Sequence, residues 1–120
     1  GTDIYVTGGK DKFARYVKNG VFTNVSDGSK QANSYSIVVV GSDVYVSGYD
    51  GATTKVWKNG TATTLSNNGN EAIAESVFVQ NNKVYVAGYD GEKAMLFKHG
   101  VGQMLSDHGS ASSVFVVDRK

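Results

Sequence analysis

The sequence predicts an all-β protein of three antiparallel four-stranded sheets, one in each repeat of about forty residues. Three observations predict it. Tyr5, Tyr45 and Tyr85 stand forty residues apart, and so do Gly8, Gly48 and Gly88, Lys18, Lys58 and Lys98, and Ser26, Ser66 and Ser106. Within each repeat, short β-branched and aromatic runs are separated by Gly, Asn and Asp turns; with 15 Gly and no Pro, every turn is made without a ring. Runs such as Ile37–Val40 and Val114–Val117 are apolar at consecutive positions, which a sheet with one wet face would not show, so both faces should be covered.

The second repeat serves as template. Asp43–Gly48 is a β-rich strand, Tyr49-Asp50-Gly51 reads as a turn, and Thr53–Lys58 is the next strand. Asn59-Gly60 is the strongest hairpin signal in the chain, because a type I′ turn needs positive φ at both central residues. Thr61–Leu65, polar and Thr-rich, suits an outer edge protected from stray pairing. A longer loop, 67–74, leads to Ser76–Val79; within it Asn70–Ala74 is the one place for a helical turn. Lys83–Gly88 then restarts the pattern. The repeat units run about 2–41, 42–81 and 82–120 within a single domain, with 113–118 as a last, innermost strand.

Composition narrows function by exclusion. A hydrophobic content of 40% and a charged content of 19% describe a folded chain rather than a disordered one. Twelve Lys/Arg against eleven Asp/Glu, spread over all three repeats, give no basic stripe for a phosphate backbone, so no nucleic-acid partner is expected. No run approaches the ~18 apolar residues of a membrane helix. With no Cys there is neither a disulfide framework nor a thiolate metal site. No nucleophile elbow, phosphate loop, zinc motif or dinucleotide fingerprint is present, and neither an enzyme nor a cofactor is expected.

Four-stranded units of about forty residues packed face to face describe the blades of a β-propeller. Val44-Tyr45-Val46-Ser47-Gly48 and Val84-Tyr85-Val86-Ala87-Gly88 resemble the second strand of kelch-type and related bacterial propeller repeats. The resemblance is generic: a kelch-like glycine pair occurs at Gly8-Gly9 alone, and the Trp-Asp pair of the WD family is missing. It implies the fold and carries over no active site.

Three blades are too few to close a ring, since propellers have about four to eight, and six is the multiple of three in that range. The expectation is a homodimer forming one six-bladed ring, in which 113–118 of one copy completes the first blade of the other beside Ile4–Thr7. The alternatives are a fragment of a longer propeller and an engineered repeat protein.

By the same resemblance, one mouth of the central channel carries Lys10, Asp11, Tyr49, Asp50, Tyr89 and Asp90, with Asn70, Glu71 and His108 from the longer loops. These are the candidate ligand-binding residues, with a glycan or a small polar molecule as the ligand class. Asp50-Gly51 and Asp90-Gly91 also serve turn chemistry alone. His99 replaces the Asn of the hairpin turn, where His tolerates positive φ, and one His beside Asp107 does not make a metal site at His108. The leading expectation is a non-catalytic binding or scaffold module; lectin-like binding is the first alternative and a hydrolase using mouth carboxylates the second.

Overall fold

A computed structural model describes residues 2–66 and 72–117. It is all-β: eleven strands form three antiparallel sheets, each a simple meander in chain order. The first sheet holds β1 (Tyr5–Lys10), β2 (Phe13–Lys18) and β3 (Val21–Asn24). The second holds β4 (Ala32–Val40), β5 (Asp43–Asp50), β6 (Thr53–Lys58) and β7 (Thr61–Ser66). The third holds β8 (Ala72–Gln80), β9 (Lys83–Asp90), β10 (Lys93–Lys98) and β11 (Val101–Ser106).

The hairpins form as the sequence requires. Asn19-Gly20, Asn59-Gly60 and His99-Gly100 all take positive φ, 49° and 86°, 51° and 84°, and 49° and 90°. Asn is the better residue there for a second reason. The Asn59 carboxamide oxygen accepts from the Val44 N–H at 2.9 Å, and its nitrogen donates to Asp43 at 2.9 Å. Asn19 repeats both bonds with Ile4 and Asp3. The outer strands β3 and β11 are exposed throughout and β7 over Thr61–Thr64; the polar character of β7 anticipates this, whereas β3 and β11 expose apolar residues such as Val21, Phe22 and Val101.

The consecutive apolar residues of β4 are explained by two separate cores. Ile37 and Val39 pack with Ala14, Val25, Val44, Val46 and Trp57, between the first and second sheets. Val38, one residue out of phase, packs with Tyr45, Val56, Val77, Val86 and Phe97, between the second and third. The second sheet is thus covered on both faces, as the absence of alternation predicts. The molecule measures 44 × 42 × 20 Å. Successive sheets pack face to face through these two cores.

Three expectations are corrected. The first sheet has three strands, not four; 110–117 stand beside the third sheet and belong to no sheet. The strand expected at 113–118 concerns a second copy, and residue 118 lies outside the described residues. β5 does not stop at Gly48 but continues through Tyr49 and Asp50, with Gly51, at φ 65°, taking the turn. Ala72–Ala74 belong to β8 rather than to a helical turn.

Candidate functional site

The turns β1–β2, β5–β6 and β9–β10 and the segments leading into the first strand of the next sheet gather at one end of the slab. Gln31 shows how. Its carbonyl accepts from the Gly51 N–H at 2.7 Å, while its side-chain nitrogen donates to the Asp11 carbonyl at 3.2 Å. One residue before β4 thus ties the turn of the first sheet to that of the second. Gly109 N–H bonds the Glu92 carbonyl at 2.8 Å and holds the loop after β11 at the same end.

This end receives the candidate residues unequally. Lys10 and Asp11 are exposed at the β1–β2 turn, and Asp11 adopts φ 59°. Asp50 is buried, and its Oδ2 lies 3.2 Å from the Lys55 ammonium. Asp90 accepts from the Ser66 hydroxyl at 2.8 Å, which links the third sheet to the second. His108 is exposed, 3.4 Å from Glu92, with its backbone held by Ser106. Asn70 and Glu71 lie outside the described residues. Among the described residues no cluster of three His, Cys, Asp or Glu groups is placed to hold a metal.

Tyr49 is brought into a cavity. A hollow of about 480 Å³ is lined by Gln31, Tyr35, Tyr49, Gly51, Ala72 and Ile73, between the second and third sheets. The Tyr35 and Tyr49 rings lie 6.1 Å apart at 31°. Sequence reasoning missed Tyr35. It sits at a β-bulge between Ser34 and Ser36, where the pairing with β5 skips one residue, and the skip leaves its ring at the mouth. The same skip recurs between Ala74 and Ser76, so comparing the strand-entry residues of the two repeats is the signal that would have found it.

At the opposite end, a cavity of about 260 Å³ between Tyr45, Lys58, Thr63, Val84 and His99 has a counterpart of about 320 Å³ between Tyr5, Lys18, Thr23, Val44 and Asn59. Each of these residues is forty positions from its equivalent, so the hollows follow from how successive sheets splay. Lys18 and Lys58 lie over the Tyr5 and Tyr45 rings at 5.6 and 5.7 Å.

A scan against protein-family models and a search of curated proteins return no match to this chain.

Proposed function

We propose that this chain is three blades of a kelch-like, six-bladed β-propeller closed by a second copy, and that the ring is a non-catalytic binding or scaffold module. One observation carries the reading: residues equivalent by repeat are covered where a neighbouring sheet exists and bare where it does not. Val46 and Val86 are each 1% exposed, whereas Val6, their equivalent in the first sheet, is 55% exposed. On the other side Val25 is 8% exposed and Leu65 is packed into the second core, whereas Leu105 of the third sheet is 53% exposed. The two bare faces are of the types that meet inside the molecule, so a second copy related by a two-fold axis covers both at once. Burying one such side chain is worth about 1.5–3 kcal/mol, and several lie on each face.

Sedimentation equilibrium tests this. The expected mass is twice the 12.7 kDa of the chain; a stable monomer at micromolar concentration refutes the ring.

A lectin-like reading of the mouth rests on the Tyr35–Tyr49 pair beside the Gln31 amide, since aromatic faces and an amide suit the apolar and hydroxyl faces of a sugar. A glycan array is its test, with Tyr49→Ala expected to abolish any signal. A hydrolase using mouth carboxylates is disfavoured because Asp50 is held by Lys55 and Asp90 by Ser66, within the framework rather than facing an open cleft.

A further inference from the structure

We infer that the strand exchange expected from the sequence takes one definite register, with residues 113–117 of the second copy lying antiparallel to β1 as a fourth strand of the first sheet. The inference rests on the six-bladed reading above and adds to it which backbone groups join the copies.

Residues 110–117 already stand where the first strand of a following sheet would stand. The Val77 N–H donates to the Ser36 hydroxyl at 3.2 Å, tying β8 to β4. The Val114 N–H donates to the Ser76 hydroxyl at 3.4 Å, the same bond one repeat later. Gly8 meets Ser34 of the following sheet, and Gly88 meets Ala111, its carbonyl accepting from the Ala111 N–H at 3.1 Å. The Phe115 ring lies 4.7 Å from that of Phe78, tilted by 46°, yet Phe115 remains 76% exposed. This segment is held in phase with the repeat, and no strand among the described residues pairs with it.

β1 is the complementary edge. In the second and third sheets, Ser36, Ile37 and Val38 face Ser47, Val46 and Tyr45, and Ser76, Val77 and Phe78 face Ala87, Val86 and Tyr85. Transferring this register puts Ser113 opposite Thr7, Val114 opposite Val6 and Phe115 opposite Tyr5. The hydrogen-bond phase agrees. Asn19, Asn59 and His99 N–H groups bond the Ile4, Val44 and Val84 carbonyls, which turns those residues toward the following strand. By the antiparallel alternation Tyr5 and Thr7 then turn their backbone groups to the open edge. Val77 and Val114 direct their N–H groups to a serine of the preceding sheet, so Val114 and Val6 form a pair without mutual hydrogen bonds, whose Cα atoms lie about 4.5 Å apart. The series of serine bonds continues across the join, with Ser113 of one copy accepting from the Ile37 N–H of the other. The segment and β1 cannot meet within one chain, because the second sheet stands between the first and the third.

Glycine gives an independent mark of the same strand. A Cβ on Gly48 would run into the Asn33 carbonyl, and one on Gly88 into the Ile73 carbonyl, because the first strand of each sheet crosses there. At Gly8 nothing lies within 4 Å. A donated strand in the stated register brings the Ser110 carbonyl to that space.

The chain has no cysteine, so a disulfide reads the register directly. Val6→Cys/Val114→Cys is expected to oxidise to a covalent dimer, since that Cα spacing fits a disulfide window of about 4.4–6.8 Å. Val6→Cys/Val116→Cys, displaced by two residues, is expected to stay unlinked. Gly8→Ala, which has room in one copy, is expected to keep its circular dichroism and weaken dimerisation at least about tenfold by sedimentation. Equal cross-linking of both pairs, or unweakened dimers of Gly8→Ala, overturns the strand donation while leaving a face-to-face dimer standing. A monomeric parent chain overturns both.

Discussion

Replacing Ser47 by Ala should stabilise the protein. Ser47 is fully buried on β5, and its hydroxyl has no hydrogen-bond partner among the described residues. An unsatisfied buried hydroxyl costs about 1–3 kcal/mol. The third sheet shows that the position needs no oxygen, because its equivalent there is Ala87, buried and paired with Ser76 as Ser47 is with Ser36. Removing one oxygen leaves a void smaller than a methyl group, and the lost contacts offset part of the gain. A net gain of about 1 kcal/mol follows, which for a domain of this size raises the melting temperature by about 4 °C. Thermal denaturation followed at 218 nm, with urea denaturation for the free energy, measures it. A melting temperature lowered by a similar amount would mean that the hydroxyl is bonded in the folded state and that the argument from Ala87 is wrong.

Trp57→Ala, in the core between the first and second sheets, should cost about 3–5 kcal/mol in urea denaturation, whereas Val6→Ala should cost under about 1 kcal/mol in a single copy and act mainly on dimer affinity. Gly88→Ala should destabilise by about 1–3 kcal/mol, because the new methyl must displace the β8 backbone; a neutral result would show that β8 does not cross there. Asp27 is held below the ordinary carboxyl value of 3.8, first by the Ser29 hydroxyl at 2.7 Å and then by the Ser29 N–H at 3.0 Å. Its contribution is present above the unfolded value and lost as pH falls through the folded one. Ser29→Ala should raise the Asp27 midpoint in an NMR titration, and an unmoved midpoint would refute the hydroxyl's role.

The parts legible in the sequence are those set by local chemistry repeated three times. Asn59-Gly60 states its own φ requirements, and Ile37–Val39 states that both faces of the sheet are covered. What escaped was decided by neighbours. Gly48 followed by Tyr-Asp-Gly reads as the end of a strand, yet that glycine is bare because β4 crosses it, and the strand runs on to Asp50. Ala72–Ala74 reads as helix-forming until β9 is there to pair with it. The engagement of Asp50 by Lys55 and of Asp90 by Ser66 depends on side chains meeting in space, which no local pattern states. Tyr35 owes its position to a skipped residue in the ladder, which no single-strand pattern announces.

Among the described residues the two cores meet through the second sheet, and this shapes how the fold comes apart. Damage to the cluster around Trp57 leaves the one around Phe97 with its own partners, so each junction melts on its own account and the whole behaves as a short chain of linked units. In a single copy, amide exchange should therefore be slowest in β5 and β6, whose neighbours lie on both sides, and fastest at the two flanks. Loss of structure would travel inward from the rims, leaving the middle as the last part to let go.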